Sequence, residues 1–256
     1  SEMGKCSGVF AEKFWARVAQ GASRTGNWLG KQKKSVDFVI VISKFLRLWI
    51  LPPQITVALW TFRVWCKTVG QKKAPDPDPT DGWEIFRAAV QDCEKYAEYG
   101  CGESTLYMNG LSGCNIQVAE TDFGWAQSIE ARTDERVKIF FVDLGKVGEW
   151  GRPVGYENRA AFGTYFAAPF SGGFSPDVVL IDGRFRVACF LYALIHAKPG
   201  TVIVFDDYAN RPWYHVVEEI IAPVEVDRRQ AKFVRPSGEP SKATAALLEK
   251  FEFVMD

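Results

Sequence analysis

The chain has 256 residues, 47% of them hydrophobic, and a formal net charge of zero. That length and apolar content support one substantial domain plus an extension and exclude a chain disordered throughout. The neutral total hides an asymmetry: the first 74 residues hold thirteen Lys or Arg against three Asp or Glu, a surplus that the remainder offsets with ten negative charges.

Residues 1–70 read as a basic, Trp-rich helical arm. In Val9 to Gln20, Phe10, Phe14 and Val18 recur at helical spacing while Glu12, Lys13 and Arg17 take other faces. Val36 to Ile50 is an apolar run in which Asp37, Lys44 and Arg47 share one side of a helix, and Pro52 and Pro53 stop it. Gln54 to Thr68 places Ile55, Leu59 and Phe62 on one stripe and Arg63 and Lys67 on another.

Neither run reaches the roughly 20 uninterrupted apolar residues that span a bilayer, and both carry interior charge. Interfacial helices are expected instead, with Trp28, Trp49, Trp60 and Trp65 at headgroup level and Lys and Arg toward anionic lipid. Packing on a partner subunit or on the chain's own domain is the alternative. The basic residues alternate with apolar surface rather than forming a hydrophilic patch, so no nucleic-acid partner is expected. The chain opens on Ser1, which fits a processed or trimmed N-terminus or a tag scar.

Residues 71–82, QKKAPDPDPTDG, have no apolar anchor and read as an extended linker. Residues 83–256 then alternate helices and strands. The expected order is helix Trp83 to Tyr96, strand Ala97 to Tyr99, helix Ser104 to Asn109, strand Ile116 to Glu120, helix Phe123 to Glu130 and strand Lys138 to Asp143. A long Gly-rich loop, Leu144 to Gly173, precedes strand Asp177 to Asp182, helix Val187 to Ala197, strand Thr201 to Asp206 and helix Trp213 to Ile221. Repeated β-α units imply a Rossmann-like α/β fold, a mostly parallel sheet with helices on both faces.

Five strands end in acid: Glu98, Glu120, Asp143, Asp182 and the pair Asp206 and Asp207. In an open parallel sheet the C-terminal strand ends form the ligand crevice, so these carboxylates line one rim. Gly100 and Gly102 follow Glu98 in a turn that opens a helix, and Glu120 lies about 20 residues on, the spacing at which an acid holds ribose hydroxyls. Helix capping is the competing role for each acid, Asp143 and Asp207 above all. The six cysteines form no Cys-x-x-Cys pair and only two histidines accompany them, so reduced thiols and no structural metal are expected. His196 is expected on a packed helix face and His215 at the surface.

Together, Glu98-Tyr-Gly-x-Gly-x-Ser-Thr105, Glu120, Asp143-Leu-Gly-x-x-Gly-Glu-Trp-Gly-x-Pro-Val154, Pro176 to Arg186 (PDVVLIDGRFR) and Phe205-Asp-Asp-Tyr208 resemble a group of bacterial proteins in the class I S-adenosylmethionine (SAM) methyltransferase superfamily. The resemblance spans about residues 96–236 and stops short of the arm. It implies a SAM pocket with Glu98, Gly100 and Gly102 around the methionine part, Ser104 at the later glycine position, Glu120 on the ribose and Asp143 on the same cofactor rim. Asp182 would lie at the methyl-transfer edge.

The arm gives this fold a second meaning. A domain extended by an apolar, basic arm reads as a membrane-docked accessory or structural subunit of a larger assembly, contacting other subunits and lipid through residues 9–68. A mitochondrial inner-membrane respiratory or ATP synthase complex would suit it. The alternative is an active SAM-dependent methyltransferase, and a third reading is a membrane-bound module that senses SAM or a nucleotide.

Overall fold

A computed structural model describes residues 82–111 and 113–255. The arm expected over residues 1–70 and nearly all of the linker lie outside them. The described chain runs α1 (Glu84–Ala89), β1 (Lys95–Tyr99), α2 (Glu103–Gly110), β2 (Asn115–Glu120), α3 (Phe123–Glu130), β3 (Val137–Phe141), α4 (Phe162–Ala167), β4 (Val178–Ile181), α5 (Arg186–His196), β5 (Val202–Phe205), β6 (Glu225–Asp227), β7 (Gln230–Val234) and α6 (Lys242–Phe251). Among the described residues no helix is long and apolar enough to cross a membrane.

The strands form one seven-stranded sheet in the order β3-β2-β1-β4-β5-β7-β6. β1 to β5 run parallel to one another, whereas β7 runs antiparallel to both β5 and β6. The apolar runs VVLI and VIVF form β4 and β5, which are covered on both faces as parallel strands require. α1, α2 and α3 bring Ile85, Phe86, Met108 and Ile129 to one face, over Ile116, Val118 and Leu180. α4, α5 and α6 bring Phe162, Tyr165, Phe190, Leu194 and Phe251 to the other, over Val179, Ile203, Phe205 and Phe233.

The structure departs from the sequence expectation in four stretches. The helix expected from Trp83 to Tyr96 ends at Ala89, because the Asp177 carboxylate accepts hydrogen bonds from Glu94 N and Lys95 N and draws that stretch to the start of β4 as a strand. The expected loop Leu144 to Gly173 contains α4, whose Phe162, Tyr165 and Phe166 recur at helical spacing and are buried. The helix expected from Trp213 to Ile221 is a run of 3-10 turns over Pro212–Glu219. β6, β7 and α6 lie beyond the expected alternation; Ser241 caps α6 by accepting from Thr244 N at 3.2 Å.

The strand order reverses between β1 and β4, and there the chain is most constrained. Tyr99 pairs with Ile181, so the segments leaving both strands meet backbone to backbone at Gly100 and Gly183. A Cβ on Gly183 would lie 2.7 Å from the Tyr99 carbonyl carbon and 2.8 Å from Gly100 N, and one on Gly100 would lie 2.7 Å from Gly183 Cα. Gly100 also has a φ of +88°, in the left-handed region.

Gly183→Ala is expected to destabilise the protein by about 3 kcal/mol, because the methyl meets backbone that cannot withdraw. Gly163→Ala, on an open face of α4 with nothing within 4 Å, is expected to stabilise it by about 0.5–1 kcal/mol. Urea unfolding of the two variants beside the parent checks both signs.

Candidate functional site

The reversal opens a crevice at the C-terminal ends of β1, β2 and β4, which is where ligands bind in open α/β sheets. Its floor is the turn from Tyr99 to Gly102. Gly100 N donates to Ala119 O at 2.8 Å, tying the turn to β2, and Gly102 N donates to Thr105 Oγ1 at 3.0 Å as α2 starts. A Cβ on Gly102 would meet nothing within 4 Å, so the turn presents bare backbone to open space there.

Glu98 is fully buried beneath that turn. The Ser104 hydroxyl donates to its Oε1, and Thr105 Oγ1 donates to Oε2 at 2.7 Å. Both oxygens are therefore engaged inside the turn, and Glu98 and Ser104 shape the first turn of α2 instead of facing the crevice. Burial pushes the Glu98 carboxyl up to about 8, against the pull of the two hydroxyl donors.

Glu120, at the end of β2, gathers backbone donors. Its Oε2 accepts from Cys101 N at 3.0 Å, and its Oε1 from Thr121 N at 2.7 Å and Asp122 N at 2.9 Å. One carboxylate thus joins the glycine turn after β1 to the turn after β2. Trp125 Nε1 donates to Cys101 O at 2.7 Å and braces the turn from the far side.

Asp143 stands two residues beyond β3, exposed, with Oδ1 accepting from Gly145 N at 2.9 Å in a local turn. After it comes a hairpin in which Val147 bridges Pro153 and Val154 N donates to Lys146 O at 2.8 Å. Trp150 at its tip is 86% exposed with φ at 58°. The Thr121 hydroxyl donates to Gly151 O at 2.7 Å, which pins the hairpin beside Glu120. A cavity of about 500 Å³ lies against the hairpin, between Trp150, Arg152, Val154 and Arg184.

The β4 and β5 ends carry a different chemistry. Oxygens of Asp182, Asp206 and Asp207 converge within 4.8 Å of one another, a spacing that suits a metal ion. Arginines meet that charge. The buried Arg186 places Nη2 2.9 Å from Asp182 Oδ1 and Nη1 3.3 Å from Asp207 Oδ2, and also donates to the backbone oxygens of Asp182, Gly183 and Asp206. Arg211 reaches Asp207 at 2.7 Å and Arg229 reaches Asp206 at 2.8 Å. A cation would have to displace Arg186. Burial pushes Asp206 up to about 7 despite Arg229.

The structure therefore brings Glu98, Gly100, Gly102, Ser104 and Glu120 together around one turn. Asp143 sits further along the rim, and Asp182 is held in its ion pair with Arg186. His196 is exposed and stacked on Tyr192 with ring centroids 4.0 Å apart, not packed inward as expected. His215 is half-buried, its Nε2 3.0 Å from Tyr208 O. Sequence reasoning missed the three arginines. The signal was available for Arg186, a charge between Phe185 and Val187 at the head of an apolar helix, which needs buried partners.

A methyltransferase-like protein from Silicibacter pomeroyi is 33% identical, over 66% of this chain and 92% of that chain, with a TM-score of 0.59. This chain belongs to that methyltransferase-like family. The methyltransferase-like domain is also similar to an RNA methyltransferase from Salinibacter ruber, solved with S-adenosyl-L-homocysteine (17% identity, 66% of this chain and 99% of that one, TM-score 0.42). It is similar as well to the N-methyltransferase NodS from Bradyrhizobium japonicum, in complex with the same molecule (14%, 70% and 100%, TM-score 0.39). No protein-family model matches the chain, and no curated protein does.

Because the folded Glu98 carboxyl titrates near 8 and the ordinary value is 4.5, the native methyltransferase-like domain keeps a proton that the unfolded chain releases. Stability from this group is full below pH 4.5, falls as pH rises toward 8, and is flat above. Urea unfolding at pH 5 and pH 8 is expected to show the parent losing about 3 kcal/mol more than Glu98→Gln over that interval. Equal losses in the two proteins would remove the assignment.

Proposed function

We propose that this domain is a SAM-dependent methyltransferase, with the cofactor seated in the crevice between the Gly100 to Ser104 turn and Glu120. The observation that carries the reading is the glycine turn at the β1–β4 reversal, joined to Glu120 through Cys101 N. Family membership and the class I strand order support it.

The residues fit the cofactor. Open space over Gly102 lets the methionine part approach bare backbone, where the first N–H groups of α2 point outward. Glu120 accepts from three backbone N–H groups and, more weakly, from the Cys101 thiol at 3.4 Å, so a ribose hydroxyl would take the place of that thiol. Asp143 extends the acidic rim. Bound SAM would supply an activated methyl group on its sulfonium, so the protein's contribution is chiefly orientation. Asp182, aimed by Arg186, accepts a hydrogen bond from the O–H or N–H of the methyl acceptor and holds it toward the donor.

Calorimetry with S-adenosylhomocysteine tests the reading. Binding in the micromolar range is expected for the full-length protein, and Glu120→Ala is expected to weaken it by about tenfold, the worth of one hydrogen bond to a charged group. No heat at millimolar ligand would sink the reading.

For the arm we infer a docking role: residues 9–68 attach the domain to membrane lipid and partner subunits, making it an accessory subunit of a membrane assembly, with a mitochondrial inner-membrane respiratory or ATP synthase complex as its setting. The support is the run of thirteen basic against three acidic residues among the first 74, interspersed with Trp28, Trp49, Trp60 and Trp65. Gel filtration of detergent-solubilised native material should show the chain in a much larger particle; elution alone near its mass of 28.7 kDa would refute the docking role.

A further inference from the structure

The end of the sheet opposite the crevice holds two thiols side by side. Cys93 lies in the turn before β1 and Cys114 in the turn before β2. The parallel pairing of β1 and β2 sets their positions: Lys95 is in register with Asn115, and Asn115 N donates to Glu94 O at 2.8 Å. Cys114 lies one residue before its registered partner and Cys93 two before its own, a diagonal placement that leaves their sulfurs 4.0 Å apart. Cys114 is 1% exposed whereas Cys93 is half-buried and open to solvent on one side. Neither takes any part in the crevice.

We propose that Cys93 and Cys114 form a covalent modification site, a thiol pair that a low-molecular-weight disulfide converts reversibly to an intramolecular disulfide. Sulfurs 4.0 Å apart are close enough for a modest side-chain movement to bring them within bonding reach, and adjacent parallel strands hold the backbones near each other. Cys93 is the sulfur a dissolved reagent can reach. Cys114 is suited to the second step because its buried sulfur already lies 4.0 Å from Cys93 Sγ, whereas the Cys114 contact and burial push the Cys93 thiol up and make the first displacement the slower one.

The exchange balances as two displacements. The Cys93 thiolate attacks one sulfur of oxidised glutathione, forming a mixed disulfide and releasing one glutathione thiolate. The Cys114 thiolate then attacks Cys93 Sγ, forms the Cys93–Cys114 bond and releases the second. The pair loses two electrons, the glutathione disulfide gains them, and the two cysteine protons end on the two released thiolates.

The test uses the native full-length protein. After incubation with oxidised glutathione, acid denaturation and blocking of remaining thiols with N-ethylmaleimide, the expected product is one linked peptide pair containing Cys93 and Cys114, with two free thiols lost and both regained in dithiothreitol. Cys93→Ser is expected to abolish that pair, whereas Cys101→Ser, whose thiol lies against Glu120, leaves it intact. The proposal is overturned if Cys93 and Cys114 both emerge carrying maleimide, if both carry only glutathione, or if Cys114 links instead to any other cysteine.

Discussion

The architecture of the crevice depends on one contact: Gly100 against Gly183, where the chain leaving β1 passes the chain leaving β4. At that reversal the connections depart to opposite faces of the sheet, and the strand ends between them cannot be covered by either layer. Side chains there would prop the two segments apart and disturb the pairing of Tyr99 with Ile181. With none, the backbones close up and Glu98 is sealed beneath the turn. The open rim and the buried acid are two consequences of the same missing atoms.

Around that contact the carboxylates differ in character because their surroundings differ. Glu98 has hydroxyl donors and no cation, so burial dominates and it holds a proton at neutral pH. Glu120 accepts from three backbone N–H groups. Asp182 and Asp207 share the Arg186 guanidinium. A rim that reads in sequence as one row of acids is physically four settings: a protonated structural group, an acceptor of backbone N–H groups beside the glycine turn, an exposed turn acid and a salt-bridge cluster. Only the second bonds directly to the glycine turn, through Cys101 N.

Much of this was legible beforehand because it is written in local pattern. Buried parallel strands such as VVLI and VIVF announce themselves as apolar runs, and strand-ending acids before helix starts locate the rim without any knowledge of strand order. The orientation of each acid was not legible. Whether Glu98 points into the crevice or under the turn depends on Ser104 and Thr105 hydroxyls six and seven residues away, and on a Gly183 more than 80 residues distant. The arginine cluster escaped for the same reason, since Arg186, Arg211 and Arg229 converge only once β5 and β7 pair. The end of α1 was misplaced because Asp177, a tertiary neighbour, claims the backbone of Glu94 and Lys95.

The late arrival of β7 and α6 has a consequence for synthesis. The strands that frame the crevice are complete once Phe205 has been made, yet the aromatic layer on the α4–α5 face is not closed then. Phe190 and Phe205 wait for Phe233 of β7, whose ring stands 4.7 Å from that of Phe190, and α5 waits for Leu247 and Phe251 of α6. A nascent chain therefore leaves that apolar flank uncovered until α6 has been made. Until then the flank is open to contact with other chains, so α6 acts as the closing seam of this aromatic layer.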